Sequence, residues 1–344
     1  MIDAPIFVVG CPRSGTGLLR DLLRSHPRLS LPPESHFIPA FYRAWGDPSS
    51  DRQARALGRR ILALRRVRAW GLALEPAAFD GRRSFAEIVD VVYGEFARQE
   101  GKSRWGDKTP HYVTQIPTLL RAFPRAKIVH IYRDGRDVAL SYLRAPFGPN
   151  NVYVAAGTWD RYVASGRRDG REAAGSYAEV RYEDLLRDPR ATMSALCEFL
   201  GEAFSEDVLR PDLGARRLWL PRRDPEAWKA AAARTEIASG NCGRWRTSMN
   251  PSDRALFESV AGRQLAELGY EVDGIARRVG RPERARLTID DRARAALRTL
   301  KSPRRSAGTV LDQREAALRS FLRRQSRDRT RILGPDPGAR QPQQ

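Results

Sequence analysis

The stretch that most narrows the possible folds stands near the start of the chain, "VVGCPRSGTGLL". Before it, Pro5-Ile6-Phe7-Val8-Val9 is a short apolar run rich in β-branched and aromatic residues, the pattern of a buried parallel strand. After it, Leu18, Leu19, Leu22 and Leu23 recur at helical spacing. A strand that enters a helix through Gly10, Gly15 and Gly17 can turn tightly and bring backbone N–H groups against an anion at the helix N-terminus. The triphosphate-binding pattern G-x-x-x-x-G-K-[ST] has the same glycine separation but requires a lysine and a hydroxyl next, and here Thr16 and Gly17 occupy those places. That lysine would reach the β- and γ-phosphates and that hydroxyl would hold Mg²⁺. Their loss points to an anionic ligand without a metal-bridged triphosphate. On these residues alone, a turn that uses glycine for geometry only remains open.

The same grammar recurs along the chain. "KSRWGDKTP" reads as a short strand closing at Asp107-Lys108-Thr109-Pro110, followed by a helical stretch at 112–123. "AKIVHIYRDGRDVALSYL" gives a strand from Lys127 to Tyr132, a polar turn and a helix from about Asp134 to Leu143. "SYAEVRYEDLLRDP" gives a strand from Ser176 to Arg181, and helical patterns follow at 190–200 and 251–268. Residues 37–100 read mostly as helices with arginines on their polar faces, an insertion or cap. Strands alternating with helices predict an α/β domain with a central parallel sheet and ligands at the carboxyl ends of its strands, where each of these polar clusters falls.

Charge divides the chain. Of a net +20, residues 276–344 carry 19 Lys+Arg against 7 Asp+Glu, a net +12, which leaves 42 against 34, or +8, for residues 1–275. The expected organisation is therefore a catalytic body at 1–275 and a basic, partly helical or disordered tail at 276–344. The tail contains one aromatic residue, Phe321, which argues against a specific nucleic-acid surface. A basic amphipathic stretch at about Asp312 to Leu333, with Leu318, Phe321 and Leu322 on one side, suits a membrane surface or partner protein better. Cys11, Cys197 and Cys242 are widely spaced, with no C-x-x-C pair, and read as free thiols. No run of about 18 apolar residues appears and the N-terminus leads straight into the loop strand, so a cytoplasmic protein without a leader is expected.

Five blocks in order, "GCPRSGTGLLRDLLRSHP", "PPESHFI", "WGDKTP", "IVHIYRDGRDVALSY" and "RYEDLLRDP", resemble the sulfotransferases that use 3′-phosphoadenosine-5′-phosphosulfate, in particular the branch of the tyrosylprotein sulfotransferases and many bacterial enzymes. The resemblance spans residues 5–200 and fades after about 250. It implies a three-layer α/β sandwich with a P-loop-like loop, a helical insertion and the basic tail, and metal-independent in-line sulfuryl transfer to a hydroxyl or amine. The donor has no β- or γ-phosphate, which accounts for Thr16 in place of lysine.

In the terms of that family, Arg13, Ser14, Gly15, Thr16 and Gly17 cradle the 5′-phosphosulfate, with Gly17 standing where the common pattern has a second threonine. Arg133 and Ser141 bind the 3′-phosphate, and an arginine fork suits that dianion. Glu34 takes the place of the general base, with His36 and His111 as rivals. Lys108 neutralises the bridging oxygen, Arg13 acts on the sulfuryl oxygens, and Tyr182 contacts the adenosine. Ser239 and Arg244, in "SGNCGRWRTSM", belong to a late segment that closes over the donor.

Each residue also has a plainer account: an ion pair of Lys108 with Asp107, a helix-capping turn at Arg133 and Asp134, a loop carboxylate or helix cap at Glu34, a core tyrosine at Tyr182. Asp134 is well placed as an N-cap, and Arg136 and Asp137 read as a solvated face. The acceptor, whether carbohydrate, lipid, peptide or small molecule, is left open. A nucleotide kinase or triphosphatase is the competing enzyme, and a basic nucleic-acid- or membrane-binding protein the competing non-enzyme.

Overall fold

Ile6–Val9 (β1) is completely buried and pairs in parallel on both sides, with Arg104–Lys108 (β3) and with Lys127–Tyr132 (β4). Leu29–Ser30 (β2) and Tyr177–Arg181 (β5) extend the sheet to the order β2-β3-β1-β4-β5, parallel throughout. The computed structural model describes residues 4–216, 239–274 and 277–301. Strand periodicity of two sends alternate β1 side chains to opposite faces. Phe7 and Val9 enter one core with Trp105, Phe123 and Ile128, whereas Ile6 and Val8 enter the other with Val129, Ile131 and Val180.

The α-helices among the described residues, in chain order, are Thr16–Ser25 (α1), Ile38–Trp45 (α2), Asp51–Leu62 (α3), Arg65–Arg68 (α4), Phe85–Gln99 (α5), Ile116–Ala122 (α6), Gly135–Leu143 (α7), Val152–Arg171 (α8), Tyr182–Arg187 (α9), Pro189–Leu200 (α10), Pro211–Arg216 (α11), Trp245–Ser248 (α12), Pro251–Glu267 (α13) and Arg281–Lys301 (α14). Leu19, Leu22 and Leu23 of α1, Leu185 of α9 and Met193 and Leu196 of α10 cover the Ile6/Val8 face. The opposite face is covered by the stretch read from sequence as a cap. Ile38 and Phe41 of α2, Leu57 and Ile61 of α3 and Ile88, Val92 and Tyr93 of α5 pack with Phe7 and Trp105, so residues 37–100 supply one of the three layers. The α5 helix, started by a Ser84–Glu87 capping box, also carries the chain across from β2 to β3.

Among the elements that go beyond the sequence reading are the two-residue strand β2 and the long helix α8. The α8 sequence contains glycines at 157, 166 and 170, which weaken a helical pattern, yet packing requires two of them. A Cβ at Gly166 would lie 2.5 Å from the His130 ring, and one at Gly170 would lie 2.4 Å from that of Tyr177. The helix thus lies close on the sheet, and on its other side Trp159 and Phe257 join α13 in a third core.

Beyond residue 275, α14 is hydrogen-bonded to the loop before α8. Asn150 N–H donates to Asp291 Oδ1 at 2.6 Å, Asn151 Nδ2 to the Leu287 carbonyl at 2.8 Å and Arg298 Nη2 to the Gly148 carbonyl at 2.6 Å. The first part of the segment assigned to the tail is therefore docked on the body. The amphipathic stretch at 312–333 lies outside the described residues. No described helix is long and apolar enough to cross a membrane.

His130 provides a test of how β4 is buried. Its Nδ1 meets the Tyr177 hydroxyl at 2.6 Å, and burial pushes its pKa from 6.5 down to about 3. Between those values the unfolded chain binds a proton at this site that the folded chain does not, so stability is full above pH ~6.5 and declines as pH falls toward ~3. At its steepest this one group contributes about 1.4 kcal/mol per pH unit. His130→Asn should remove about one proton's worth of that slope in urea titrations between pH 4 and 6.5, and an unchanged slope would mean that His130 is protonated in the fold.

Candidate functional site

The carboxyl ends of β1, β3 and β4 open into a cleft of about 240 Å³ lined by Arg13, Gly15, Thr16, Gly17, Glu34, Lys108, His111, Arg133, Ser141, Phe147 and Tyr182, among others. The loop after β1 shapes one wall. Ser14 N–H bonds the Cys11 carbonyl at 3.1 Å, and Arg13 (φ 76°) and Gly15 (φ 95°) both take the left-handed conformation. Gly15 is the N-cap of α1, with no side chain capping it and no acidic residue in the first turn, so the leading N–H groups remain available to an anion. The Ser14 hydroxyl is buried and has no hydrogen-bond partner. A Cβ on Gly15 would lie 2.2 Å from the Tyr182 ring, whereas one on Gly17 would meet nothing within 4 Å. The space that a second threonine would fill is open.

Arg13 and Ser141, taken from sequence as contacts to different ends of a donor, are joined to each other, with Arg13 Nε donating to Ser141 Oγ at 2.9 Å. Arg133 lies 4.7 Å over the Tyr182 ring. Its Nη2 donates to Asp137 Oδ2 at 3.1 Å and to the Asn241 carbonyl, and its buried Nε has no partner. Beneath the loop, the Cys11 thiol meets the Tyr142 hydroxyl at 3.5 Å and is pushed by burial up to about 12, which leaves it without thiolate character.

Glu34 and Lys108 form a buried ion pair across the cleft. The other Glu34 oxygen accepts from His36 Nε2 at 2.8 Å. His36 itself has φ 60°, a strained value for a residue other than glycine. The Glu34 loop is anchored from behind, where the Tyr112 hydroxyl meets Ser35 Oγ at 3.2 Å and accepts from Ile38 N–H at 3.0 Å. Asp107, the alternative partner for Lys108, instead accepts from the Tyr93 hydroxyl at 2.6 Å, and burial raises its carboxyl pKa. Of the two histidine rivals, His111 lines the cleft and His36 reaches it through Glu34, the two rings standing edge to face at 5.9 Å.

Asp134 caps α7 as expected, accepting from Arg136 N–H at 2.9 Å. Arg136 and Asp137, however, do not face solvent. Arg136 is fully buried between Asp134 (2.8 Å), Glu258 (2.8 Å) and the Trp245 ring (3.5 Å). Asp137 is equally enclosed and accepts from Gly243 and Trp245 N–H, each at 2.9 Å. The expectation failed because the surface that covers this face of α7 comes from residues more than 100 positions later. Arg244 is exposed and is not among the cleft-lining residues. The late segment touches the cleft arginine through a backbone carbonyl, that of Asn241. Ser239 starts a short 3₁₀ turn, and its side chain lies outside the described residues.

A family model described as "Sulfotransferase family" matches residues 5–206. The chain is 27% identical over 220 residues to protein-tyrosine sulfotransferase 1 of Danio rerio, covering 60% of this chain and 56% of that protein. To protein-tyrosine sulfotransferase 2 of Gallus gallus it is 29% identical over 213 residues, covering 59% and 53%. The chain thus spans little more than half the length of these two relatives. Nodulation protein NoeE of Sinorhizobium fredii is 25% identical over 348 residues, covering 94% of this chain and 80% of that protein. Among solved structures, a sulfotransferase domain from the curacin biosynthetic pathway superposes with a TM-score of 0.53 at 21% identity, over 79% of this chain and 99% of that domain, a likeness of fold.

The two loop glycines should respond oppositely to the same change. Gly15→Ala adds left-handed strain and a clash with Tyr182, and should cost about 1 kcal/mol or more. Gly17→Ala, in a helical turn with room for the methyl, should be neutral or stabilising by up to about 1 kcal/mol. Urea denaturation of both variants reads the contrast, and equal effects would refute this description of the loop.

Proposed function

The chain belongs to the sulfotransferase family, and on that premise we propose that it transfers a sulfuryl group from 3′-phosphoadenosine-5′-phosphosulfate to a hydroxyl or amine acceptor. The observation that carries this reading is the pairing in one cleft of two anion-binding features. One is the uncapped N-terminus of α1, with Arg13 beside it and the unpartnered Ser14 hydroxyl buried in the same loop; the other is Arg133, whose guanidinium lies over Tyr182 and whose buried Nε is unpartnered. A nucleotide with a phosphosulfate at one end of its ribose and a phosphate at the other presents two such anions. Between them, Glu34 and Lys108 supply the acid–base pair.

In this reading the acceptor oxygen attacks sulfur and its proton passes to a Glu34 oxygen. The bond between sulfur and the bridging oxygen breaks, and 3′,5′-ADP leaves with the bonding electrons. Lys108 exchanges Glu34 for the bridging oxygen, where negative charge develops. That exchange removes a cation from beside the carboxylate and so raises its basicity when a base is needed. Arg13 stabilises the sulfuryl oxygens, and His36 holds the remaining Glu34 oxygen so that the carboxylate keeps its orientation. Thr16 and Gly17, in place of lysine and hydroxyl, disfavour the kinase alternative.

Thermal shift distinguishes the two enzymes. 3′,5′-ADP should raise the melting temperature without added divalent metal, and ATP with Mg²⁺ should do so much less. A preference for ATP that a chelator abolishes would favour the kinase. With labelled donor and a panel of acceptors, Glu34→Gln should reduce turnover about 10²-fold or more while leaving 3′,5′-ADP binding nearly unchanged. Full turnover by that variant would move the base to His111.

A further inference from the structure

Asp137 has no part in the scheme above, yet it is among the most enclosed charges in the protein, with none of its side chain exposed. Its carboxylate receives three donors from two distant parts of the chain. Oδ2 takes Arg133 Nη2 at 3.1 Å and Gly243 N–H at 2.9 Å, and Oδ1 takes Trp245 N–H at 2.9 Å. The same segment returns a contact to Arg133 through the Asn241 carbonyl. The Arg133 guanidinium is therefore held by a carboxylate on α7, a carbonyl of the late segment and the face of Tyr182. Both hydrogen bonds engage Nη2 and the ring lies against the guanidinium face, which leaves Nε unpartnered.

We propose that Asp137 is the positioning residue for recognition of the donor's 3′-phosphate: it orients the Arg133 fork and pins Asn241–Trp245 beside it. The inference rests on the reading that Arg133 takes that phosphate. Two physical effects of Asp137 on an anion at Arg133 have opposite signs. As a negative charge beside the guanidinium, Asp137 weakens the attraction for any anion, so its neutralisation by itself would tighten binding. As a holder it keeps a planar, bidentate donor aimed and the adjoining segment docked, so its loss loosens the geometry on which bidentate recognition depends. The three hydrogen bonds, two of them buried, favour the second effect, because an Arg133 without its carboxylate must find another partner or carry a buried, uncompensated charge.

The experiment uses the full chain and two probes, 3′,5′-ADP and 5′-AMP, which lacks the 3′-phosphate, titrated by calorimetry. Asp137→Asn, nearly isosteric, should weaken 3′,5′-ADP about 10-fold or more, the scale of one charge-assisted hydrogen bond. 5′-AMP should stay within about 3-fold, since its contacts are with the α1 loop. In an Arg133→Ala background, Asp137→Asn should add little, because it acts through the arginine. Unchanged or tighter 3′,5′-ADP binding would overturn the proposal in favour of the charge effect. Equal weakening of both probes would overturn it in favour of a general structural role. A native protein that binds both probes alike would instead remove the 3′-phosphate from Arg133, and this inference with it. If Asp137→Asn does not fold, Asp137→Ser, which still offers an oxygen to one backbone N–H, is judged by the same ratio.

Discussion

A parallel sheet covered on both faces leaves polar side chains few ways out, and the ends of its strands are the main one. β1 pairs with β4 along its whole length and with β3 from Ile6 to Val8, and every β1 side chain is in one core or the other. Where β1 ends, the chain must turn outward. The groups that emerge there (the glycine loop after β1, Lys108 ending β3 and Arg133 just past β4) converge because their strands are neighbours in register. The cleft follows from the pairing order, and no long-range search by side chains is needed to assemble it.

Assembly at such a depth has a cost, and the structure meets it by pairing charge with charge. Glu34 with Lys108, Arg133 with Asp137, and Arg136 with Asp134 and Glu258 are all buried pairs or triads. Pairs of this kind add little net stability, since the desolvation of both partners offsets their attraction, but removing one partner is strongly destabilising. The protein without ligand thus keeps its own anions against the cations that an incoming polyanion would use. Under the proposed function, donor binding is an exchange of partners within this framework, which favours ligands that match the geometry over those that merely carry charge.

What could be read from sequence divides by distance along the chain. The β1–loop–α1 unit, β4 with its polar turn and the Asp134 cap depend on neighbours a few residues away, and each was legible in local pattern. Resemblance tied Tyr182 to the donor's adenosine, but nothing in "RYEDL" states that its ring closes on Gly15. Asp137 and Arg136 looked like a charged helix face. They lie inside because Gly243, Trp245 and Glu258 cover that face, and these residues are more than 100 positions away. Helix α8 was hidden by its glycines, which lower helical propensity for the sake of tertiary fit. β2 is too short for any period to register. The helices of 37–100 showed their amphipathic faces but not their partner, the Phe7 side of the sheet.

Those α8 glycines bear on which motions the protein can make. Gly166 faces His130 and Gly170 faces Tyr177, each notch receiving a ring from an adjacent strand. A shift of α8 along its axis by one residue would bring Arg167 or Ser165 to the first ring, and Arg171 or Asp169 to the second. Two notches filled at once act as a pawl, and the helix can slip only by lifting off the sheet. Motions that leave the α8 packing intact fall instead on the Glu34 loop and the segment through Asn241, which are tied down by hydrogen bonds that can be exchanged rather than by steric keys.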